Sequence, residues 1–523
     1  MRVAEIAGLT GSLVLIFSLG FAASDSLPQI APNRPPHADI RSYRQAHETE
    51  ILREFAAWLA IPNVSSDKVN IRRNAEFLAA AMDRRGVAVK ILETAGGPPI
   101  VFGEWGASGA SKTLLAYAHY DGQPVTPEGW KSDPWKPVLR DSPFEAGGKD
   151  VALEAAAGKA NAEWRLYARG AGDDKGTMMA ALAAIDALNS IHQSPTVRVK
   201  FLFEGEEETG SPHLAAFLDS HRDLLKADAM LLCDGPVHPS RRMQVVFGAR
   251  GICDLEMTVY GPNRALHSGH YGNWAPNPAA LLANLLASLR DADGKILVPG
   301  IYDGLSPLEP AGRAAIDAAP RADEALRQEL GLAWSEAGNA RIEERILLPA
   351  MNIRGLRSGA VGAQAQNAVP TQAAASVDFR LVPGLNPARV RELSERRIKA
   401  LGFHIVEKDP DTDMRLRHPR IVRLEWGMGY PAYRTPMDHP FGKAMIATMR
   451  EAAGPDLVAL PLLGGSIPMT TFAEKLGVPI VLFPIANHDD FQHGPNENIR
   501  LQNLWDGIEY YAALFTRLSA HWN

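Results

Sequence analysis

An apolar stretch over residues 197–203 reads as a buried strand, and it runs straight into Glu204-Gly205-Glu206-Glu207-Glu208. Four carboxylates gathered at one strand end repel each other. A fold that brings them together either splays them into water or holds them with a cation. A solvated acidic loop is the usual account of a charge run. The rest of the chain favours the cation, because several other apolar runs end in matching ligands. Residues 113–118 lead to His119-Tyr120-Asp121, residues 229–233 lead to Asp234, and Asp173-Asp174 precede a helix-forming stretch over 175–188. Strand, polar residue, helix, repeated, is the pattern of an α/β sheet with its site at the carboxyl ends of the strands.

A chain of 523 residues exceeds one ordinary core and implies two or more domains. A composition of 46% apolar and 22% charged residues is that of a globular protein, and a net charge of −6 gives no footprint for nucleic acid. Cys233 and Cys253 allow at most one bridge; each lies in an apolar run, so both are expected as buried free thiols. At the N-terminus, residues 1–23 combine Arg2, an apolar stretch and small residues before a polar segment, as in a secretory signal peptide. An uncleaved N-terminal anchor is the alternative. The proline-rich segment 24–39 reads as a linker, and a leader of this kind implies a periplasmic or secreted protein.

Helical spacing is expected over 42–60, 70–85 and 212–225, with strands over 87–92 and 100–105. After residue 246 the pattern changes. Strand 254–260, helix 276–290, strand 373–382, helix 386–401 and strand 403–408 form a smaller α+β unit, 247–434, inserted into a first domain that spans 40–246 and resumes over 435–523. The return consists of helix 440–453, strand 478–484 and a closing helix over 503–518, with His493 in the loop between the last two. The stretch 151–162 reads as an exposed excursion of a β-hairpin.

Each polar residue has an ordinary explanation when taken singly. Asp173 could cap the following helix, Asp234 could begin a turn, and a histidine at a strand end is more often packed or solvated than ligating. The joint pattern is harder to dismiss. His119, Asp173, Glu208 and Asp234 fall at one edge of one sheet, and imidazole with carboxylate suits zinc or another divalent first-row ion. With His493 there are five ligands, too many for one tetrahedral zinc but suited to two ions sharing a carboxylate, about 3.5–4 Å apart.

The motifs around His119 and Asp121, Arg169-Gly170-Ala171-Gly172-Asp173-Asp174-Lys175-Gly176, and Glu204 to Ser211 resemble signatures of the co-catalytic zinc peptidase family of carboxypeptidase G, aminoacylase and succinyl-diaminopimelate desuccinylase. Arg250-Gly251-Ile252, Leu266-His267-Ser268-Gly269, Phe379-Arg380-Leu381-Val382-Pro383 and Gly464-Gly465-Ser466-Ile467-Pro468 resemble its carnosinase and cytosolic non-specific dipeptidase subgroup. The resemblance implies an α/β fold: a zinc-exopeptidase-like catalytic domain, a mixed sheet flanked by helices, with an inserted α+β lid and dimerisation domain. It also implies a homodimer holding two Zn2+ per subunit, Mn2+ or Co2+ being substitutes.

Position by position, the resemblance makes Asp173 the bridging ligand. His119 and Asp234 complete one site, Glu208 and His493 the other, and the Asp173–Asp174 peptide bond is cis. Asp121 accepts the other ring N–H of His119 and fixes its tautomer. Glu207 is the general base, and His267 stabilises the oxyanion from the partner subunit. Arg380 grips the substrate carboxylate, with Ser466, Asn367 and His439 as further substrate contacts. Glu204 and Glu206 are left as supports or as solvated loop. The stretches 144–164 and 308–345 depart from the family. The implied reaction is hydrolysis of dipeptides or short peptides, as a dipeptidase or carboxypeptidase. The alternatives are an N-acyl-amino-acid amidohydrolase and, in another class, a binding protein without turnover.

Overall fold

The structure, a computed structural model, describes residues 38–106, 109–156, 161–336 and 338–522. The expected leader, 1–23, lies outside the described residues, as does the expected linker except for residues 38 and 39. Those two already belong to a helix, Ala38–Ala46, whose Ile40 is buried. A second helix, Glu48–Leu59, follows, so the single helix expected over 42–60 is two. A third, Lys68–Asp83, starts where the Asp67 side chain accepts from Asn70 N.

Eight strands form the larger sheet, in the order Ala88–Leu92, Ile100–Trp105, Arg198–Glu204, Thr113–His119, Ala229–Leu232, Ile480–Leu482, Gln244–Val246, Val458–Leu460. The four central strands, Arg198–Glu204 to Ile480–Leu482, run parallel, and their carboxyl ends therefore share one edge. Both faces of this sheet are covered, which is why its strands read as unbroken apolar runs. Leu114, Ala116 and Ala118 join one core with the helices Glu48–Leu59, Lys175–Ser190 and Leu501–His521. Leu115 and Tyr117, pointing the other way, join a second core with Leu214–Ser220 and Met469–Leu476. The expected helix over 212–225 thus shrinks to Leu214–Ser220; its remainder is turn that still buries Leu225. Gln244–Val246 and Val458–Leu460 went unforeseen because three residues carry no readable period.

The stretch expected as an inserted unit holds a second sheet, ordered Ala350–Arg357, Gln372–Leu381, Gly248–Tyr260, Ile421–Tyr430, His404–Val406. Two helices, Pro278–Leu289 and Pro387–Ala400, pack on one of its faces. Each starts at an Asn-Pro pair: the asparagine side chain accepts backbone N–H groups, and proline fills the first helical position where no donor is needed. Strand Ala350–Arg357 was not foreseen, since after Met351 its residues are all exposed and show no alternation. On the face away from the helices, Ile252 stands opposite Arg380 on one neighbouring strand and Tyr430 on the other. These three side chains therefore lie in one row.

A small sheet ties the site together. Asn498–Arg500 pairs with Arg165–Tyr167, which pairs with Val138–Arg140 and that in turn with Asp150–Val151. The pairing sets the loop that carries His493 beside the loop that carries Asp173. The expected excursion over 151–162 falls largely at residues 157–160, outside the described residues, and just before them. Cys233 and Cys253 are buried free thiols. Among the described residues no helix is long and apolar enough to cross a membrane.

Candidate metal centre and active site

His119 is the last residue of its strand, and Tyr120 N bonds back to Glu204 O of the next strand, holding the two strand ends together. Two groups of ligand atoms form at this edge, each with its atoms within 4.8 Å of one another: His119, Asp173 and Asp234, then Asp173, Glu208 and His493. Asp173 belongs to both. His119 Nε2 lies 2.9 Å from Asp173 Oδ1, and His493 Nε2 lies 3.1 Å from Asp173 Oδ2 and 3.3 Å from Glu208 Oε2. The Glu208 side chain is 4% exposed and that of His493 56%, so the second group opens toward solvent. The Asp173–Asp174 bond is cis, as the resemblance implies.

The electrostatics show what this set lacks. Burial first, then the Asp173 charge, pushes Asp234 up to about 6 and Glu208 up to about 8. Burial also raises Glu207, with His119 opposing and Asp234, Glu208 and Asp173 adding to it. Asp173 alone is held low: burial pushes it upward, but hydrogen bonds from His119 and His493 outweigh that. A buried cluster whose carboxyls are driven toward their neutral forms is short of positive charge. Imidazole and carboxylate donors arranged as two cation-sized groups sharing one aspartate fit divalent metal ions.

Asp121 takes a fuller role than the one expected of it. His119 Nδ1 is 3.2 Å from the Asp121 carbonyl oxygen and 3.3 Å from its carboxylate. The two carboxylate oxygens accept Glu207 N and Glu208 N, at 3.1 Å each. One residue thus orients the imidazole and fixes the backbone that presents Glu207 and Glu208. Glu204 and Glu206 are not solvated, contrary to the looser expectation for them. Glu204 is 1% exposed and accepts from Tyr117 Oη at 2.6 Å, while Glu206 accepts His213 N and lies 2.9 Å from His213 Nδ1.

Several contacts gave no signal in the sequence. Glu497, fully buried, accepts Gly172 N and Asp173 N on Oε1 and Gly170 N and Arg169 Nη1 on Oε2. Gln123 Nε2 donates to Glu208 Oε2 and Gln492 Nε2 to Asp173 Oδ2, each at 2.7 Å. Tyr430, on the second sheet, has its phenol raised by burial and then by the Glu207 charge, with Arg380 and Asp234 also acting on it. That end of the second sheet therefore faces the carboxylate cluster.

The remaining expected residues divide into three groups. Arg380 and Ser466 meet: Arg380 Nη1 donates to Ser466 Oγ at 2.9 Å, and Ser466 donates onward to Gly251 O at 3.1 Å. His267 and Asn367 are neighbours, since His267 pairs with Ala368 and Ser268 N donates to Asn367 O. Both are exposed, and among the described residues neither bonds to the ligand cluster. His439 makes no hydrogen bond to the ligand cluster among the described residues. It caps the helix Pro440–Ala453, its Nδ1 accepting from Phe441 N, because a side-chain acceptor just before Pro440 satisfies a free helical N–H.

A mixed α/β body with buried imidazole and carboxylate ligands at parallel strand ends is that of a metal-dependent hydrolase. Residues 115–517 match the model of peptidase family M20/M25/M40, and the chain belongs to that family. It is 26% identical over 490 residues to the Cys-Gly metallodipeptidase dug1 of Schizosaccharomyces pombe, covering 90% of this chain and 96% of that protein. It is 26% identical over 542 residues to the Beta-Ala-His dipeptidase of Homo sapiens, covering 98% of each. Among solved structures, an M20 family metallo-carboxypeptidase from Sulfolobus solfataricus superposes with a TM-score of 0.72 at 29% identity, over 90% of this chain and 99% of that one. The chain is an enzyme, a metal-dependent hydrolase of the dipeptidase type. The expected periplasmic or secreted location is corrected by the same relatives. Those relatives match the chain as Cys-Gly and Beta-Ala-His dipeptidases, and the leader on which the expectation rested falls outside the described residues.

Proposed function

We propose that this protein hydrolyses dipeptides at a pair of zinc ions, with Glu207 as general base. The observation that carries the reading is Asp173, shared by two ligand groups, with Glu207 held next to Glu208 by the carboxylate of Asp121. His119, Asp173 and Asp234 would hold one ion, and Asp173, Glu208 and His493 the other. Zinc, when bound, supplies Lewis acidity, which makes water a nucleophile near neutral pH and polarises a carbonyl. Glu207 ligates neither ion in this scheme. Its carboxylate takes the proton of the attacking water and returns it to the leaving amine. Arg380, braced by Ser466, binds the carboxylate at the far end of the substrate. The domain assignment of 40–246, 247–434 and 435–523 belongs to the same reading, as does a homodimer. In that dimer the partner subunit's His267 donates to the oxyanion, which accounts for an exposed histidine with no bond to the ligand cluster of its own chain.

Cys-Gly and β-Ala-His, named by the relatives, are the first dipeptides to assay, alongside N-acyl amino acids. Turnover of acyl substrates alone would replace the dipeptidase reading by the amidohydrolase one. Glu207→Ala should retain both zinc ions and lose activity by about 100-fold or more. Near-normal activity in that variant would reassign the base.

A further inference from the structure

One half-buried cation of the second sheet lacks an anion of its own. Arg250 lies near the start of the strand Gly248–Tyr260, two residues before Ile252 and so on the same face as Arg380. Its Nε donates to Gly464 O at 2.9 Å, and among the described residues its guanidinium makes no ion pair. The charges that act on it are Arg380, which repels it, and Asp378; burial first, then Arg380, lowers its pKa to about 10. Asp378 is already engaged, its Oδ1 accepting from Asn352 Nδ2 at 2.8 Å and from Arg380 Nε at 3.3 Å.

Arg250 pairs in register with Ser466, the residue whose hydroxyl takes the Arg380 donor. Ser466 spends its own proton on Gly251 O, so it braces the two strands and has no hydrogen left for a substrate. Two guanidiniums and one carboxylate, with Asp254 on the same face already paired to Arg354 at 3.4 Å, leave this pocket with one net positive charge. A guanidinium removed from water without a counter-ion is unfavourable unless the missing anion arrives from outside. One monovalent anion closes the count.

We propose that Arg250 is a second carboxylate-binding residue, which with Arg380 clasps the single free α-carboxylate of the substrate. Ser466 then acts as a positioning residue between the two guanidiniums. The inference rests on the peptide-hydrolase reading given above and deepens it: the site discriminates by charge at the C-terminal end, taking a dipeptide acid in preference to its amide.

The test uses the metal-loaded full chain with one dipeptide and its C-terminal amide, and the variants Arg250→Met and Arg250→Lys. Arg250→Met should raise KM for the acid at least 10-fold with kcat within a few-fold of normal, and leave kcat/KM for the amide unchanged. Arg250→Lys, which keeps the charge, should recover part of the KM. Equal losses on acid and amide, or an unchanged KM in Arg250→Met with normal metal content, would overturn the assignment. If the unaltered enzyme hydrolyses no dipeptide at all, the peptidase reading fails and not this one. If Arg250→Met does not fold, the acid-to-amide ratio of Arg250→Lys decides alone, an unchanged ratio counting against the proposal.

Discussion

Replacing Glu497 by glutamine removes one charge from the loop that presents Asp173, and the structure sets the size of the loss. The carboxylate serves four donors, two on each oxygen, and one of them is the buried guanidinium of Arg169 at 2.7 Å. Glutamine keeps a single acceptor oxygen. Whichever way its amide turns, two donors lose their acceptor and face an NH2 group. Breaking a buried ion pair from one side costs about 3–5 kcal/mol, and each orphaned backbone donor about 1–3 kcal/mol, and these terms overlap. Arg169 keeps some support, since Nη2 reaches Gly494 O at 3.3 Å and its guanidinium lies over the Trp130 ring. A loss of about 4 kcal/mol follows. Urea unfolding of the chelator-treated protein should show it as a lower midpoint at unchanged slope. Arg169→Met in the same background removes the stranded charge, so the double variant should recover about 2 kcal/mol relative to the sum of the single losses. With one acceptor oxygen where there were two, the loop holds the aspartate less firmly, and zinc affinity should weaken about 10–100-fold in competition with a chromogenic chelator. A loss under about 1 kcal/mol with zero coupling to Arg169 would refute this account of the loop.

Two further outcomes follow from the site's charges and caps. Glu208 at about 8 and His493 at about 9 lie above their ordinary values in the metal-free protein. A raised folded-state pKa contributes stability that is lost as pH rises through it, so the metal-free protein should be more stable at pH 5 than at pH 8.5. Metal binding must displace those protons, so zinc affinity should rise across the same interval, with proton release visible in calorimetry in buffers of differing ionisation heat; a pH-independent affinity would contradict it. His439→Ala should lower stability by about 1 kcal/mol through the lost cap while leaving KM unchanged, and a raised KM would restore the substrate role expected from the sequence.

The site was legible where chemistry coincides with the end of a strand. His119, Glu207, Glu208 and Asp234 stand at or just past apolar runs that had to be buried, so side-chain type and local pattern sufficed to place them on one edge. His493 follows no such run directly; it entered as a fifth ligand-type side chain, from the loop before the closing helix, and the resemblance then gave it its place. Glu497 was invisible because its partners lie more than 320 residues earlier, joined only when Asn498–Arg500 pairs with Arg165–Tyr167. Glu204 and Glu206 stayed undecided between supports and solvated loop because their partners, Tyr117 and His213, become neighbours only in the folded sheet and the turn after it. The helix cap at His439 was legible too. A polar residue before proline, ahead of a helical run, is a helix start signal in its own right. The second sheet was half legible: helices opening at Asn-Pro announce themselves, while an edge strand exposed along most of its length does not.

The position of Ile480–Leu482 in the larger sheet bears on how the chain assembles. This strand sits between Ala229–Leu232 and Gln244–Val246, segments made some 240 residues earlier. A nascent chain that has finished both of those strands cannot zip them side by side without closing the slot reserved for a strand not yet synthesised. Until the last tenth of the polypeptide emerges, the Ala229–Leu232 edge stays unpaired, with the apolar run of an interior strand and none of the charges that guard an outer one. The ligand group of His119, Asp173 and Asp234 can be complete by then, whereas the second waits for His493. Ordering is slow for pairings so distant in sequence, and the interval before closure is the stage at which this edge is most open to aggregation.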